Sequence, residues 1–324
     1  MILAGDVGGT KTQVALFRRS GAKLRLVAHR SVRSRRYPGL GAIVKEFLTR
    51  ARVRPVRACF GVAGPVLNDR SQATNLPWVI DARTLTRTLG LRAVSLINDL
   101  EAMAYGALTL PPSAFAVLKR GAAQPHGAIA VIAAGTGLGE AALIWDGRRY
   151  RAVPSEGGHA DFAPRNELEV ALLRSLAKRF GHVSYERILS GPGKVAIYRF
   201  LKTSGRGTES ARVAAQLAAE DDPSPLISEL ALSGRSALCA KTLDLFVSIY
   251  GAEAGNVALK VLARGGVYIG GGIAPSILPK LKSGAFIRAF TDKGRLKPLL
   301  SRIPVRVILE EKAALYGAAH YALL

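Results

Sequence analysis

Asp6 is followed by Val7, Gly8, Gly9 and Thr10, so five residues offer a carboxylate, convergent backbone amides and a hydroxyl. Glycine lets a main chain approach a phosphate closely and adopt positive φ, and successive N–H groups can then close around the anion. Two further glycine turns follow in the chain, Gly135-Thr136-Gly137-Leu138-Gly139 and Gly270-Gly271-Gly272-Ile273. In Rossmann units and P-loops the glycine loop opens a helix whose N-terminus holds the phosphate. Here the first two turns sit between strand-like runs, 1–5 and 11–17, then 128–134 and 140–145. That placement predicts a nucleotide gripped by β-hairpins, with the Asp6 carboxylate available to a magnesium ion. A single Asp-Gly-Gly turn is also what an ordinary β-turn looks like. The recurrence of the glycine turns is what favours phosphate binding.

A second set of residues could act on what the phosphate meets. Asn98 and Asp99 follow the apolar run 93–97, at the carboxyl end of a predicted buried strand, where α/β sheets bind ligands. An aspartate at that point can cap the following helix. It can also take a proton from a hydroxyl nucleophile, since an unperturbed carboxylate with a pKa of about 3.9 is ionised at neutral pH. Phosphoryl transfer needs such a group to aim the hydroxyl at the γ-phosphorus. Glu156 and His159, on the turn Ser155-Glu156-Gly157-Gly158-His159, add acceptors suited to a hydroxyl-rich ligand. A zinc role for His159 is poorly supported, because no cysteine lies near and Asp161 alone does not complete a site. Glu186 also reads as a first-turn acid of a helix capped at Ser184.

The elements that must position these groups alternate strand and helix. After the first hairpin come a basic strand over 24–32, a helix over 40–50, a strand over 56–62, and a helix over 84–89 with Asp81 as its N-cap. The strand 93–97 leads into a helix over 101–108. A second strand set begins at 128, followed by largely helical sequence over 167–262 with loops at 205–207 and 221–225. A strand over 267–269, the third glycine turn, a helix from about 275, a strand over 305–309 and a helix over 312–323 complete the reading. The final helix is expected to pack on the first domain. Two sheet halves that each begin with a glycine hairpin hint at an internal duplication.

At 324 residues the chain exceeds a comfortable single core, and two domains are the default. Apolar residues make up 49% and charged ones 21%, an ordinary globular composition. Cys59 and Cys239 are too few and too far apart for a disulfide framework or a cysteine-rich zinc site, which fits a reducing cytoplasm. No leader precedes the first strand, and no apolar run reaches the ~20 residues of a membrane span. The formal charge of +23 invites a nucleic-acid reading. The basic clusters at 30–36 and 51–57 lack interleaved aromatics, and no recognition-helix module is evident, so a solvated basic surface is the simpler reading.

Taken in order, the motifs resemble the bacterial glucokinase family within the superfamily of actin, hexokinase and heat-shock ATPases. The matching segments are Gly5-Asp-Val-Gly-Gly-Thr-Lys11, Gly61-Val-Ala-Gly-Pro65, Thr74-Asn-Leu-Pro-Trp78, Asn98-Asp-Leu-Glu-Ala102, Gly135-Thr-Gly-Leu-Gly139, Glu156-Gly-Gly-His159, Tyr185-Glu-Arg-Ile-Leu-Ser-Gly-Pro-Gly193 and Gly270-Gly-Gly-Ile-Ala-Pro275. The resemblance implies a two-domain, actin-like (ribonuclease H-like) α/β fold with an interdomain cleft. The small domain would be 1–110 with 301–324, the large one 111–300, joined by crossings near Pro111 and at 300–304. It implies glucose held by Asn98, Asp99, Glu156, His159 and Glu186, with Asp99 as the base toward the 6-hydroxyl. It also implies ATP phosphates cradled by Asp6, Gly8, Gly9 and Thr10 and by Gly135, Thr136, Gly137 and Gly139. Gly270, Gly271 and Gly272 would lie by the adenosine, Mg²⁺ would be held by Asp6 through water, and two copies would form a cytoplasmic homodimer. Another hexose, polyphosphate as donor, or a non-catalytic sugar sensor are the alternatives. The strong positive charge departs from the family pattern. The cysteine-rich zinc motif of the repressor and sugar-kinase family is absent, and no helix-turn-helix precedes the first strand.

Overall fold

Alternating and apolar runs in the first third of the chain become β1 (Ile2–Val7), β2 (Lys11–Ser20), β3 (Lys23–Arg33), β4 (Arg57–Val62), β5 (Arg70–Gln72), β6 (Val79–Asp81) and β7 (Ala93–Asn98). The computed structural model describes residues 1–21, 23–73 and 76–324, so Thr74 and Asn75 of the third matched motif lie outside the described residues. Five of these strands form one sheet in the order β3-β2-β1-β4-β7, while β5 and β6 pair as a separate hairpin. β1, β2 and β3 are joined antiparallel, and β1, β4 and β7 run parallel. Helices cover both faces of the parallel half, so β1 and β4 are nearly continuous apolar runs. β3 sits at the edge, alternating exposed and half-buried residues, and its outward Lys23, Arg25 and Arg33 blunt an otherwise open pairing edge.

Leu3, Leu16, Phe60 and Leu96 pack on one side with Ile43, Val44 and Phe47 of the helix Leu40–Ala51 and Leu85 of the helix Ala82–Leu89. Asp81 caps the latter, accepting from the Thr84 amide at 2.7 Å. The helices Asp99–Thr109 and Ala313–Tyr321 pack against each other in the same unit. They meet backbone to backbone: a Cβ on Gly106 would lie 2.0 Å from the Ala313 carbonyl oxygen, and one on Gly317 1.7 Å from that of Ala102. Only glycine permits such an approach.

The second sheet comprises β8 (Phe115–Lys119), β9 (Ile129–Ala134), β10 (Leu138–Trp145), β11 (Tyr150–Ser155), β12 (Gly266–Gly270) and β13 (Val305–Ile308), in the order β11-β10-β9-β12-β13-β8. β9 and β10 form an antiparallel hairpin, and β9, β12 and β13 run parallel. The pattern of the first sheet thus recurs: a glycine hairpin, a third strand outside it, and two later strands on the other flank of the hairpin's first strand. The long helix Ala237–Lys260 contributes Leu243, Phe246, Val247 and Tyr250 to the core of this sheet.

The chain divides into two compact units, Met1–Phe115 with Ala152–Pro154 and Glu310–Leu324, and Ala116–Arg151 with Ser155–Leu309. The final helix falls in the first unit, whereas β13 belongs to the second sheet. Residues 224–225, read from sequence as loop, open the helix Ser224–Leu232, because proline is tolerated in a first turn that lacks amide partners. The strands β5, β6, β8 and β11 have no counterpart in the sequence reading.

Candidate active site

In the first unit the site residues lie at the carboxyl ends of three adjacent parallel strands. Asp6 on β1 registers with Gly61 on β4, which registers with Ile97 on β7; one step further, Val7, Val62 and Asn98 form the next row. Gly61 belongs at this point because a Cβ there would lie 2.8 Å from Ala102 Cβ, so the helix carrying Asp99 lies close against β4. Asn98 is the helix cap: its Oδ1 accepts from the Leu100 amide at 2.8 Å, and Glu101 reaches back to the Asn98 amide at 2.9 Å. This reciprocal pair is a capping box. Asn98 Nδ2 donates to the Gly64 carbonyl at 3.1 Å, tying the strand end to the Gly61–Pro65 turn. Asp99 is the first residue of the helix, and its Oδ1 accepts from the Leu100 amide at 2.9 Å.

The turn from Asp6 to Thr10 is braced from behind. The Gly8 amide donates to the Lys11 carbonyl at 3.0 Å, Ser34 Oγ donates to the Gly8 carbonyl at 2.7 Å, and the Ser34 amide donates to the Thr10 carbonyl at 3.1 Å. Buried Thr12 bonds the same serine hydroxyl at 2.9 Å. With its carbonyls held, the turn's shape is set before any ligand arrives. Ser34 was not among the residues singled out from sequence; it sits in a basic stretch whose arginines dominate the reading.

Burial raises the Asp6 carboxyl above its usual pKa, opposed by a bond from Gln13 Nε2 at 3.4 Å and by the charge of Lys11. A desolvated carboxylate so weakly compensated suits a hard cation, whose charge would relieve the penalty. Among the described residues no three His, Cys, Asp or Glu cluster as a metal cage.

The second unit gathers the remaining candidates around the end of β9. The Gly135–Gly139 turn closes with a bond from the Gly135 amide to the Gly137 carbonyl at 2.8 Å, and the Gly191 amide donates to the Gly135 carbonyl at 2.8 Å. Glu186 Oε2 accepts from the Leu138 amide at 3.1 Å, and a Cβ on Gly137 would lie 2.5 Å from that oxygen. Glu186 therefore touches the Gly135–Gly139 turn directly. The preceding Ser184 gives no side-chain cap, so the expected helix start is instead a 3₁₀ turn, Tyr185–Arg187. Glu156 precedes and His159 ends a second 3₁₀ turn, Gly157–His159, with their side chains exposed and 3.9 Å apart. That turn lies on β10: a Cβ on Gly158 would lie 2.1 Å from the Leu138 carbonyl oxygen. The third glycine turn closes on the same place. Gly271 has φ +79°, and a Cβ there would lie 2.2 Å from the Ala134 carbonyl oxygen. Tyr250 holds that strand end from below, its Oη accepting from the Ala134 amide at 3.2 Å. Thr136, Gly139, Gly270 and Gly272 complete the two turns.

Two α/β units whose sheets share one strand pattern around a glycine hairpin define an actin-like, two-domain ATPase fold. A family model described as "Glucokinase" matches residues 3–324, and the chain belongs to the glucokinase family. The glucokinase of Nostoc sp. is 44% identical over 334 residues, covering 98% of each chain. A crystal structure of glucokinase from an Antarctic psychrotroph superposes with a TM-score of 0.86 at 32% identity, over 99% of this chain and 98% of that one. The glucokinase of Balamuthia mandrillaris, solved in complex with glucose, shares the fold at a TM-score of 0.83 and 22% identity, over 100% of this chain and 93% of the other.

Proposed function

We propose that the protein transfers the γ-phosphoryl group of ATP to the 6-hydroxyl of D-glucose, giving glucose 6-phosphate and ADP. The observation that carries the reading is the placement of Asp99 and Asp6 on one carboxyl edge of the first sheet, in a chain of the glucokinase family. Asp99 accepts the proton of the 6-hydroxyl as that oxygen attacks the γ-phosphorus. Asn98, Glu156, His159 and Glu186 bond the remaining sugar hydroxyls, which orients the attacking oxygen. The amides of Gly8, Gly9 and Thr10, with those of the Gly135–Gly139 turn, hold phosphate oxygens, and the Gly270–Gly272 turn lies by the adenosine. Asp6 would hold Mg²⁺ through water, and the ion would supply charge neutralisation to the phosphates. Positioning and electrostatics of this kind account for most of the acceleration in phosphoryl transfer.

Asp99→Asn tests the assignment. General-base catalysis contributes about 10²- to 10⁴-fold, so turnover should fall by that factor while calorimetric glucose affinity stays within a few-fold. Near-parental turnover would remove Asp99 from the role. A coupled assay for glucose 6-phosphate over glucose, mannose and glucosamine fixes the acceptor. Because the formal charge is +23, polyphosphate belongs beside ATP in the same assay as an alternative donor. The proposal extends to a cytoplasmic homodimer. Cys59 and Cys239 are both buried and free, which suits a reducing compartment, and no described helix is long and apolar enough to cross a membrane.

A further inference from the structure

Behind the sugar-side turn lies a pair of acids that the reaction itself does not use. Glu140 on β10 and Glu253 on the helix Ala237–Lys260 are 3% and 0% exposed. Glu253 is the charged group that acts most strongly on Glu140, Tyr185 bonds Glu253, and among the described residues neither Glu140 Oε1 nor Glu253 Oε1 has a hydrogen-bond partner. Glu140 Oε2 presses on the turn: a Cβ on Gly157 would lie 2.2 Å from it. Glu253 Oε2 accepts from Asn256 Nδ2 at 2.7 Å, and the same amide nitrogen donates to Tyr185 Oη at 3.0 Å. Lys293 Nζ fixes Asn256 from the other side, at 2.5 Å from its Oδ1. Lys260 Nζ stands 3.6 Å from Glu253 Oε1.

Two buried carboxylates that repel each other cannot both be ionised without a large cost, whereas one proton between them satisfies both orphaned oxygens. We infer that Glu140 and Glu253 share a single proton, and that this hydrogen-bonded pair seats the Gly157–His159 turn on β10, making Glu140 a positioning residue for Glu156 and His159. The inference rests on the reading of those two residues as sugar ligands. Its mechanism is mechanical. With the proton in place Glu140 is drawn toward Glu253 and away from Gly157; without it, repulsion drives the Glu140 carboxylate into a turn that has no room to receive it.

The direction of the pH effect follows from the surroundings. Burial pushes the Glu140 carboxyl up to about 8, the charge of Glu253 adds to that, and Lys260 opposes it. The other groups facing the pair are Tyr185 and Tyr250, both raised by burial, and Lys293, which burial and Arg165 lower while Glu253 and Asp292 raise it. The shared proton is therefore held at neutral pH and leaves above about pH 8.

The experiment is KM for glucose between pH 6.5 and 9.5, at saturating ATP, for the parent and for Glu140→Gln. Glutamine keeps the shape and a donor toward Glu253 but cannot titrate. Loss of one proton allows a rise of up to about tenfold per pH unit above the transition, so the parent KM should climb beyond about pH 8. The variant should show parental KM at pH 7 within about threefold and no climb. Glu253→Gln tests the pair from its other member should Glu140→Gln fail to fold, and should flatten the same limb. A flat parental KM, or an equal climb in both variants, overturns the inference. Glu156→Gln with parental KM at pH 7 overturns the sugar-ligand assignment beneath it, and the inference with it.

Discussion

Gly158→Ala is the substitution whose cost can be worked most directly from the structure. The added Cβ would lie 2.1 Å from the Leu138 carbonyl oxygen and 3.2 Å from Leu138 Cβ. Atoms of this kind rest at about 3.5 Å, so one partner has to retreat by about 1.4 Å. Leu138 is held in register against Ala134 by the antiparallel ladder, so the turn yields before the strand does. The displaced turn carries Glu156 and His159. A misplacement of about 1 Å at a positioning group costs about 10²-fold, equivalent to about 2.7 kcal/mol of transition-state binding. The assay is coupled glucose 6-phosphate formation, with kcat/KM measured separately for glucose and for ATP. For glucose it should fall about 100-fold, mostly through KM, while KM for ATP moves by less than about threefold. Gly39→Ala, where a Cβ meets nothing within 4 Å, serves as the control and should change neither. A folded Gly158→Ala enzyme with parental kcat/KM for glucose would refute both the packing argument and the turn's part in holding the sugar.

Further outcomes follow from the same contacts. Gly317→Ala would drive the helix Ala313–Tyr321 off the Asp99–Thr109 helix, since its Cβ would lie 1.7 Å from the Ala102 carbonyl oxygen. Overpacking costs about 1–3 kcal/mol, so thermal unfolding should drop by several degrees; an unchanged Tm would deny the tight seam. Buried Lys194, whose Nζ donates to the Ser224 carbonyl at 3.2 Å and to Ser228 Oγ at 2.5 Å, has its pKa lowered to about 8 by burial, with Asp222 opposing. The unfolded chain then binds more protons between about pH 8 and 10.5, so this group's contribution is full above 10.5 and lost as pH falls through 8. Denaturant titrations at pH 8 and 10 should show that increment in the parent and not in Lys194→Met, and identical slopes would count against it.

The hairpins and the strand ends were legible because their signals are local. A glycine turn between two apolar runs, or Asn98-Asp99 after a buried strand, announces itself within ten residues. The Asn98 capping box needed only Glu101 three positions on. What escaped was non-local or weakly patterned. Glu140 and Glu253 come near each other only when the helix Ala237–Lys260, more than a hundred residues downstream, packs on the second sheet. The one available signal was a lone acid inside the apolar strand Leu138–Trp145. Ser34 was hidden among arginines, and the three-residue strands β5 and β6 are too short for alternation to rise above noise. The glycine seam of Gly106 and Gly317 looked like two unremarkable helix interiors, since the reason for each glycine is a carbonyl from a distant segment.

The return of residues 310–324 to the first unit sets a timetable for biosynthesis. The ribosome finishes residue 115 some 195 codons before it reaches residue 310, an interval of about 10–40 s at ordinary elongation speeds. Throughout that interval the nascent first sheet lacks its closing helix, and the face meant for Tyr316 and Leu315 stays uncovered. The inserted segment can mature while its predecessor waits, so the amino-terminal half is the last to be completed.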